Sequence, residues 1–206
     1  ALEQRPAAAI LPRQLLDEAG QLDLRVDAQG LEESGAPIAL AGSLLLALSA
    51  KAQVPFWPVP MTMQSLVIMM LGMAYGSRLA MATVLLYLAE GMAGLPVFAG
   101  TGAGFAYMTG PTAGYLVGFV MAAGLIGWLA ERGWDRSPVK AVAAMSIGHA
   151  LLFIPGVAWL AVLFGMDKAV AVGLTPFVAA TLLKTALGAA LMHAAWTVVA
   201  RRSQSR

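Results

Sequence analysis

The stretch MTMQSLVIMMLGMAY-GSR-LAMATVLLYLAEGMAGL, residues 61–95, decides the fold. It contains two apolar segments, residues 61–75 and 79–95, which are separated by the short break Gly76-Ser77-Arg78. A helix that spans a bilayer needs about 17–25 consecutive and mostly apolar residues. The stretch therefore predicts two membrane-spanning helices joined by a tight connection.

Composition extends this prediction to most of the chain. Of the 206 residues, 59% are hydrophobic and 12% are charged, and the mean hydropathy is +0.75. Soluble domains are about 45–50% apolar and about 25% charged, so the surrounding solvent here is lipid. Further apolar segments cover residues 37–54, 113–130, 141–164 and 176–200. We predict an all-α protein, an integral membrane bundle of six transmembrane helices, over residues 36–206.

Residues 1–35 differ from the rest because they carry ten charged side chains and no long apolar run. We expect them to form a polar cytoplasmic N-terminal arm. The chain has no cysteine, which excludes disulfides and thiolate metal sites. A net charge of +2 gives no basis for nucleic-acid binding, and we predict no metal and no cofactor.

The positive charges predict the orientation in the membrane. With the N-terminus inside, ten positive residues fall on the inner side and only Lys168 falls in an outer loop. Positive residues are enriched in cytoplasmic loops. We therefore expect a multi-pass protein of the cytoplasmic (inner) membrane with both termini in the cytoplasm.

Three charged residues fall inside the apolar segments: Lys51, Glu90 and Lys184. Charges at this depth are costly and usually mark function. Lys51 and Glu90 are shallow enough to reach the interface or to pair with each other. Lys184 is deeper and has no acid on its own helix, so it favours an anionic ligand, with pairing to Glu90 as the structural alternative.

The outer loops have unusual compositions. The first, VPFWPVP (Val54–Pro60), combines three prolines with two aromatic residues, and the second is rich in glycine between Pro96 and Thr112. Such loops suit a lid and a wall around a small ligand that is mostly apolar, although an interfacial aromatic belt is the simpler interpretation.

Two weaker patterns leave alternatives open. His149 and His193 are more typical of hydrogen-bonded core histidines than of ligand-binding ones. Ala39, Ser43 and Ala47 are spaced by four, which allows close helix contact, either within the bundle or with another membrane protein.

Several motifs make the chain resemble the BioY family, the biotin-specific substrate-binding (S) components of energy-coupling factor (ECF) transporters. The motifs are VPFWPVPMTMQSL (Val54–Leu66), YGSRLAMATVLLYLAEGMAGLPVFAG (Tyr75–Gly100), GPTAGYLVGF (Gly110–Phe119), WLAERGWDRS (Trp128–Ser137) and GLTPFVAATLLKTAL (Gly173–Leu187).

The resemblance implies a protein without catalytic activity that binds biotin at its outer face for uptake. It implies a transmembrane coupling subunit and ABC-type ATPases as partners, which dock partly through the small residues of the first helix. We expect Lys184 to meet the carboxylate of biotin. The remaining residues predicted to bind biotin are Thr181, Trp57, Gln64, Phe98, Gly100, Gly102, Tyr107 and Tyr115.

Two positions depart from the family pattern. Thr181 stands where the family usually has an aspartate, which should leave the pocket more positive. His149 stands where we expect asparagine. Alternatives to a biotin component are an S component for another small carboxylate or vitamin, an intramembrane enzyme and a structural membrane subunit. A homo-oligomer is also compatible with the sequence.

Overall fold

The computed structural model describes residues 35–204, with side chains placed as far as Val198. Its elements follow in the order α1 (Gly35–Lys51), β1 (Gln53–Val54), β2 (Met61–Thr62), α2 (Gln64–Met92), α3 (Gly104–Met108), α4 (Ala113–Ala130), α5 (Pro138–Phe164), α6 (Met166–Gly173) and α7 (Phe177–Gln204). The predicted polar arm lies outside the described residues, except for Gly35. From Ala39 onward the described chain forms one compact unit. The predicted boundary between residues 35 and 36 stays a prediction.

The described residues confirm the all-α membrane class. Four helices, α2, α4, α5 and α7, are long and apolar enough to cross a membrane, and α1 is a shorter apolar helix. The helix α4 has the bounds predicted from the sequence, and α7 begins one residue after Pro176. The only strands in the described part are the two-residue β1 and β2, which form an antiparallel hairpin.

The helix α2 is a helical hairpin. Gly76 interrupts it with φ 75° and ψ 176°, which is far from helical geometry. The side-chain nitrogen Nε2 of Gln64 donates to the hydroxyl of Tyr87 at 2.6 Å. In a straight helix these residues would lie about 35 Å apart at 1.5 Å per residue. The chain therefore reverses at Gly76, and the two halves of α2 are the predicted second and third segments. With α1, α4, α5 and α7, these halves give the six predicted segments.

The loop between α4 and α5 holds this reversal. Glu131 Oε1 accepts bonds from both the backbone N–H and the hydroxyl of Ser77, each at 2.7 Å. These bonds, with the backbone one the larger effect, lower the pKa of Glu131 below its ordinary value. Gly127 allows the close approach, because a Cβ there would lie 2.3 Å from Ser77 N.

Apolar side chains lie both inside the bundle and on its outer surface. Fully buried examples are Leu46, Ile68, Met69, Ile126, Met145 and Leu160. Outward-facing side chains are equally apolar, with Val162 at 76% exposed and Leu183 at 71%. A water-soluble protein would rarely leave such a surface uncovered, so a lipid environment explains it.

Charged side chains separate toward the two ends of the bundle. At the end that holds Glu131, the guanidinium of Arg132 lies 3.5 Å from the ring centroid of Trp128, and that of Arg136 lies 5.2 Å from Trp196. The helix α5 starts at this end, so Lys168, which follows its last turn, lies at the opposite end. The charge asymmetry predicted from the sequence is therefore present between the described loops.

Candidate functional site

A cavity lies beneath the two loops at the Lys168 end. The β1–β2 hairpin, α2, α3, α4, α5 and α7 all contribute to its lining. Its polar lining residues are Thr62, Gln64, Ser65, Tyr107, Thr112, Tyr115, His149, Thr181 and Lys184. Aromatic and aliphatic side chains such as Phe119, Phe153 and Phe177 complete the wall. A mostly apolar cavity with a few convergent polar groups is typical of a small-molecule site.

Lys51 fixes the second loop over the cavity. Its ammonium group donates to the carbonyls of Pro96, Phe98 and Gly100 at 2.5, 2.8 and 2.8 Å. Glu90, the pairing partner that the sequence suggested for it, instead accepts a bond from Ser43 at 2.9 Å. Lys51 therefore holds the backbone of this loop through the negative ends of its carbonyl dipoles.

Lys184 projects from α7 into the cavity and is 8% exposed. Its ammonium group donates to the carbonyl of Thr62 at 2.6 Å and to the hydroxyl of Ser65 at 3.1 Å. An ammonium group has three donors, so one remains for a ligand. No acidic residue is among the described residues that line the cavity. The alternative pairing with Glu90 is not what the structure shows.

A chain of hydrogen bonds joins the two loops behind the cavity. Thr62 donates to the side-chain oxygen of Gln64 at 3.0 Å, and Gln64 donates to Tyr87. The hydroxyl of Tyr87 in turn donates to the carbonyl of Val97 at 3.0 Å. Gln64 therefore lines the cavity as predicted, but its amide also helps to hold the two loops together.

Aromatic residues from the second loop and α4 form one side of the cavity. Tyr107 lines it and stacks on Phe98 with 4.8 Å between ring centroids. Burial raises the pKa of Tyr107, so its hydroxyl remains protonated and can donate. Tyr115 also lines the cavity, and its hydroxyl donates to the carbonyl of Gly173 at 2.7 Å.

Five predicted residues line the cavity: Gln64, Tyr107, Tyr115, Thr181 and Lys184. The other four do not line it. Phe98 is fully buried behind Tyr107. Gly100 offers its carbonyl to Lys51, and Gly102 leaves room for Tyr107, whose ring would lie 2.4 Å from a Cβ there. Trp57 is 71% exposed and packs on Phe164 with 5.8 Å between ring centroids.

His149 is a lining residue that the sequence interpretation treated as part of the core. It is 2% exposed. Its Nδ1 lies 2.9 Å from the carbonyl oxygen of Met145 and 3.2 Å from the hydroxyl of Thr185. The departure from the expected asparagine was the signal that could have drawn attention to it.

The stripe of small residues on α1, Ala39, Ser43 and Ala47, faces this chain's own bundle. Ala39 is 7% exposed and Ser43 is 2% exposed, whereas Ala47 is partly buried. The opposite face presents Leu40, Leu44 and Leu48, which are more than half exposed. Internal packing therefore accounts for Ala39 and Ser43, and a docking role for the stripe stays a prediction.

The helical bundle and its roofed cavity define a multi-pass membrane protein with an internal site for a small ligand. A family model described as the BioY family matches residues 31–201. This chain belongs to the BioY family, as its motifs predicted.

Curated relatives and one solved structure agree with this assignment. Biotin transporter BioY2 of Lactococcus lactis subsp. cremoris is 34% identical over 76% of this chain and 88% of its own length. The probable biotin transporter BioY of Pyrococcus horikoshii is 32% identical over 69% of this chain and 83% of its own. The crystal structure of the S-component for biotin from an ECF-type ABC transporter superposes with a TM-score of 0.68. That match covers 82% of this chain and 93% of the other at 20% identity, and it establishes the fold.

Proposed function

We propose that this protein binds biotin and serves its uptake across the cytoplasmic membrane, as the substrate-specific component of an ECF-type transporter. The relatives are named biotin transporters, and the fold matches that of a biotin S-component. Membership of this family places the chain among transport proteins rather than enzymes. The cavity is the site where biotin binds, with its ring system against the aromatic wall.

One observation carries the proposal. Lys184 lines a mostly apolar cavity with one ammonium donor unused, and no carboxylate lines that cavity within the described part of the chain. A buried ammonium group without a counter-ion favours an anionic ligand. Biotin combines a carboxylate with a compact, mostly apolar ring system, and so it matches both features.

The test is to compare biotin with its uncharged methyl ester on the purified protein and on Lys184→Met. A charge-assisted hydrogen bond is worth about 1.5–3 kcal/mol. Removing it should weaken biotin binding by roughly ten- to a hundredfold at 1.4 kcal/mol per decade. The variant should also lose its preference for biotin over the ester. Methionine keeps the apolar stem of the side chain, so packing changes little.

Lys140→Met is the matched control, because Lys140 is exposed at the opposite end of the bundle and does not line the cavity. It should leave both affinities unchanged. If Lys184→Met still prefers biotin over the ester by the wild-type factor, Lys184 is not the carboxylate partner. Competition by other carboxylate vitamins on the wild-type protein decides whether biotin is the preferred ligand, a question raised by Thr181 in place of the family aspartate.

The proposed partners are a transmembrane coupling subunit and ABC-type ATPases. Ala39, Ser43 and Ala47 are proposed to support docking, and the partly buried Ala47 is the position most open to a neighbour. Ala47→Leu should reduce copurification with the coupling subunit while biotin binding persists. Loss of binding with intact copurification would assign the stripe to internal packing alone.

The proposed orientation places both termini and the Glu131 end in the cytoplasm. A cysteine at Gly133 should then be protected from impermeant thiol reagents added to intact cells, whereas one at Lys168 should be labelled. The opposite labelling pattern would reverse the orientation. The native chain has no cysteine, so each single-cysteine variant reports one position.

A further inference from the structure

We propose that the Glu131 end of the bundle carries a second site, which binds the headgroup of phosphatidylethanolamine. In this site the carboxylate of Asp135 accepts a hydrogen bond from the ammonium group of the lipid, and Nε1 of Trp196 donates to its phosphate. The site does not depend on the proposed function, because none of its lining residues lines the biotin cavity.

A notch at this end of the bundle forms the site. It has a volume of about 180 Å³ and lies between the first half of α2, the loop that joins α4 to α5, and α7. An ordered water needs only about 10–15 Å³, so the notch has room for a larger polar group. Its lining residues are Met73, Ala74, Asp135, Met192, Ala195 and Trp196.

Two side chains on the wall of this notch have a polar atom without a partner. Oδ1 of Asp135 and Nε1 of Trp196 are buried and make no hydrogen bond within the described part of the chain. Asp135 as a whole is only 8% exposed. Buried polar atoms nearly always have a partner, and a buried charge without one is especially costly. A group bound in the notch would satisfy both atoms.

The two atoms require opposite chemistry from that group. A carboxylate can only accept hydrogen bonds, and an indole N–H can only donate one. The ligand must therefore present a donor to Asp135 and an acceptor to Trp196. An ammonium group suits Asp135 better than a neutral donor, because it also supplies the positive charge that the carboxylate lacks.

A neighbouring cation selects an anionic acceptor for Trp196. The guanidinium of Arg136 lies 5.2 Å from the centroid of the Trp196 ring. Arginine is well suited to phosphate, both in charge and in the geometry of its donors. A phosphate group beside the ring would accept from Nε1 and lie close to this charge. The notch thus matches a ligand that joins an ammonium group to a phosphate.

The depth of the notch indicates that this ligand is a lipid. Trp196 lies two residues before the end of the apolar span Phe177–Val198, which is about 3 Å along the helix. Tryptophan is enriched at this level, where the headgroups of the bilayer lie. Free phosphoethanolamine has the same polar groups, but only the phospholipid has acyl chains that keep it at this depth.

The first experiment uses the wild-type protein in detergent and a series of lipids with identical acyl chains. Phosphatidylethanolamine has three N–H donors, its mono- and dimethyl derivatives have two and one, and phosphatidylcholine has none. All four keep the positive charge and the phosphate. Native mass spectrometry measures the lipid bound at equal concentrations.

We expect phosphatidylethanolamine to bind roughly tenfold more tightly than phosphatidylcholine, the range of one charge-assisted hydrogen bond. Most of this difference should appear when the last N–H is removed. Phosphoethanolamine without acyl chains should not displace the bound lipid.

The second experiment separates the two contacts. Asp135→Asn removes the charge at nearly unchanged size and should bind phosphatidylethanolamine and phosphatidylcholine alike. Trp196→Phe removes the indole N–H and should weaken both lipids by roughly three- to tenfold while the preference between them persists. Asp167→Asn, on the exposed surface of α6 at the opposite end, and Trp128→Phe, at the same end but outside the notch, are the matched controls. Both should retain the wild-type affinities.

Equal binding of phosphatidylethanolamine and phosphatidylcholine by the wild-type protein would overturn the assignment and leave water or a basic side chain of a partner protein as the occupant of the notch. A preference that persists in Asp135→Asn would also overturn it, as would unchanged affinities in Trp196→Phe. Displacement by free phosphoethanolamine would replace the lipid by a soluble ligand. Should a variant fail to fold, the methylation series on the wild-type protein still decides.

Discussion

Lys51 offers the sharpest test of how the site is assembled, because one side chain holds three carbonyls of the second loop. The carbonyls of Pro96, Phe98 and Gly100 all lie within 2.8 Å of its ammonium nitrogen. Lys51→Met keeps the stem and removes the donors. The loop should then lose its attachment to the end of α1, and Tyr107, which stacks on Phe98, should lose its fixed position.

The magnitude follows from the exposure of these bonds. A hydrogen bond to a charged group contributes about 1.5–3 kcal/mol when it is buried. Lys51 is exposed, and two of its three bonds are also exposed, so water replaces most of the lost interaction. We expect a total loss of about 1–2 kcal/mol, which corresponds to roughly five- to thirtyfold weaker biotin binding if the loop must be ordered to bind.

Two measurements on the purified protein check this prediction. Biotin affinity should fall as stated, and amide hydrogen exchange between residues 96 and 102 should become faster. Lys140→Met removes an exposed lysine at the opposite end of the bundle and serves as the control. An unchanged affinity together with unchanged exchange in the loop would show that Lys51 does not order the site.

Three further predictions follow from single contacts. Trp57→Ala should weaken biotin binding by about 1 kcal/mol. This is less than the roughly 1.5–3 kcal/mol of a fully buried apolar side chain, because the ring is 71% exposed. Fluorescence titration measures this, and an unchanged affinity would exclude Trp57 from the lid. Gly127→Ala should destabilise the protein by about 1–3 kcal/mol, since its Cβ would meet the α2 backbone at 2.3 Å. Gly124→Ala meets only a flexible methionine end and should cost much less in thermal unfolding. Because the pKa of Glu131 is lowered in the fold, its ionised carboxylate stabilises the protein above the ordinary pKa of 4.5, and this stability is lost as the pH falls through the lower, folded-state pKa. Glu131→Gln should remove this part of the pH dependence of stability. Parallel profiles of unfolding temperature against pH for the wild-type protein and the variant would refute the prediction.

The membrane fold could be predicted because its determinants are local. Runs of apolar residues specify helices in lipid without reference to the rest of the chain. The break at Gly76 was visible as an interruption of such a run. Its geometry was not, because the reversal is held by the bonds from Ser77 to Glu131, which is 54 positions further along the sequence.

The site was only partly predictable for the same reason. Lys184 was identifiable because a charge within an apolar segment is conspicuous whatever its neighbours are. The three carbonyls bound by Lys51 carry no side-chain signal, so that contact could not be read from residue types. Nε2 of His149 has no hydrogen-bond partner among the described residues, and this depends on how the helices pack around the ring, which residue types do not show.

The first half of α2 has a consequence for the surrounding lipid. From Gln64 to Tyr75 it rises about 18 Å at 1.5 Å per residue, whereas the hydrocarbon core of a typical bilayer is about 30 Å thick. This hydrophobic mismatch costs fractions of a kcal/mol per Å, and a bilayer relieves it by thinning locally. The protein should therefore unfold at a higher temperature in nanodiscs of short-chain lipids than in those of long-chain lipids, and its membrane environment would tune the stability of the helical hairpin that carries Gln64.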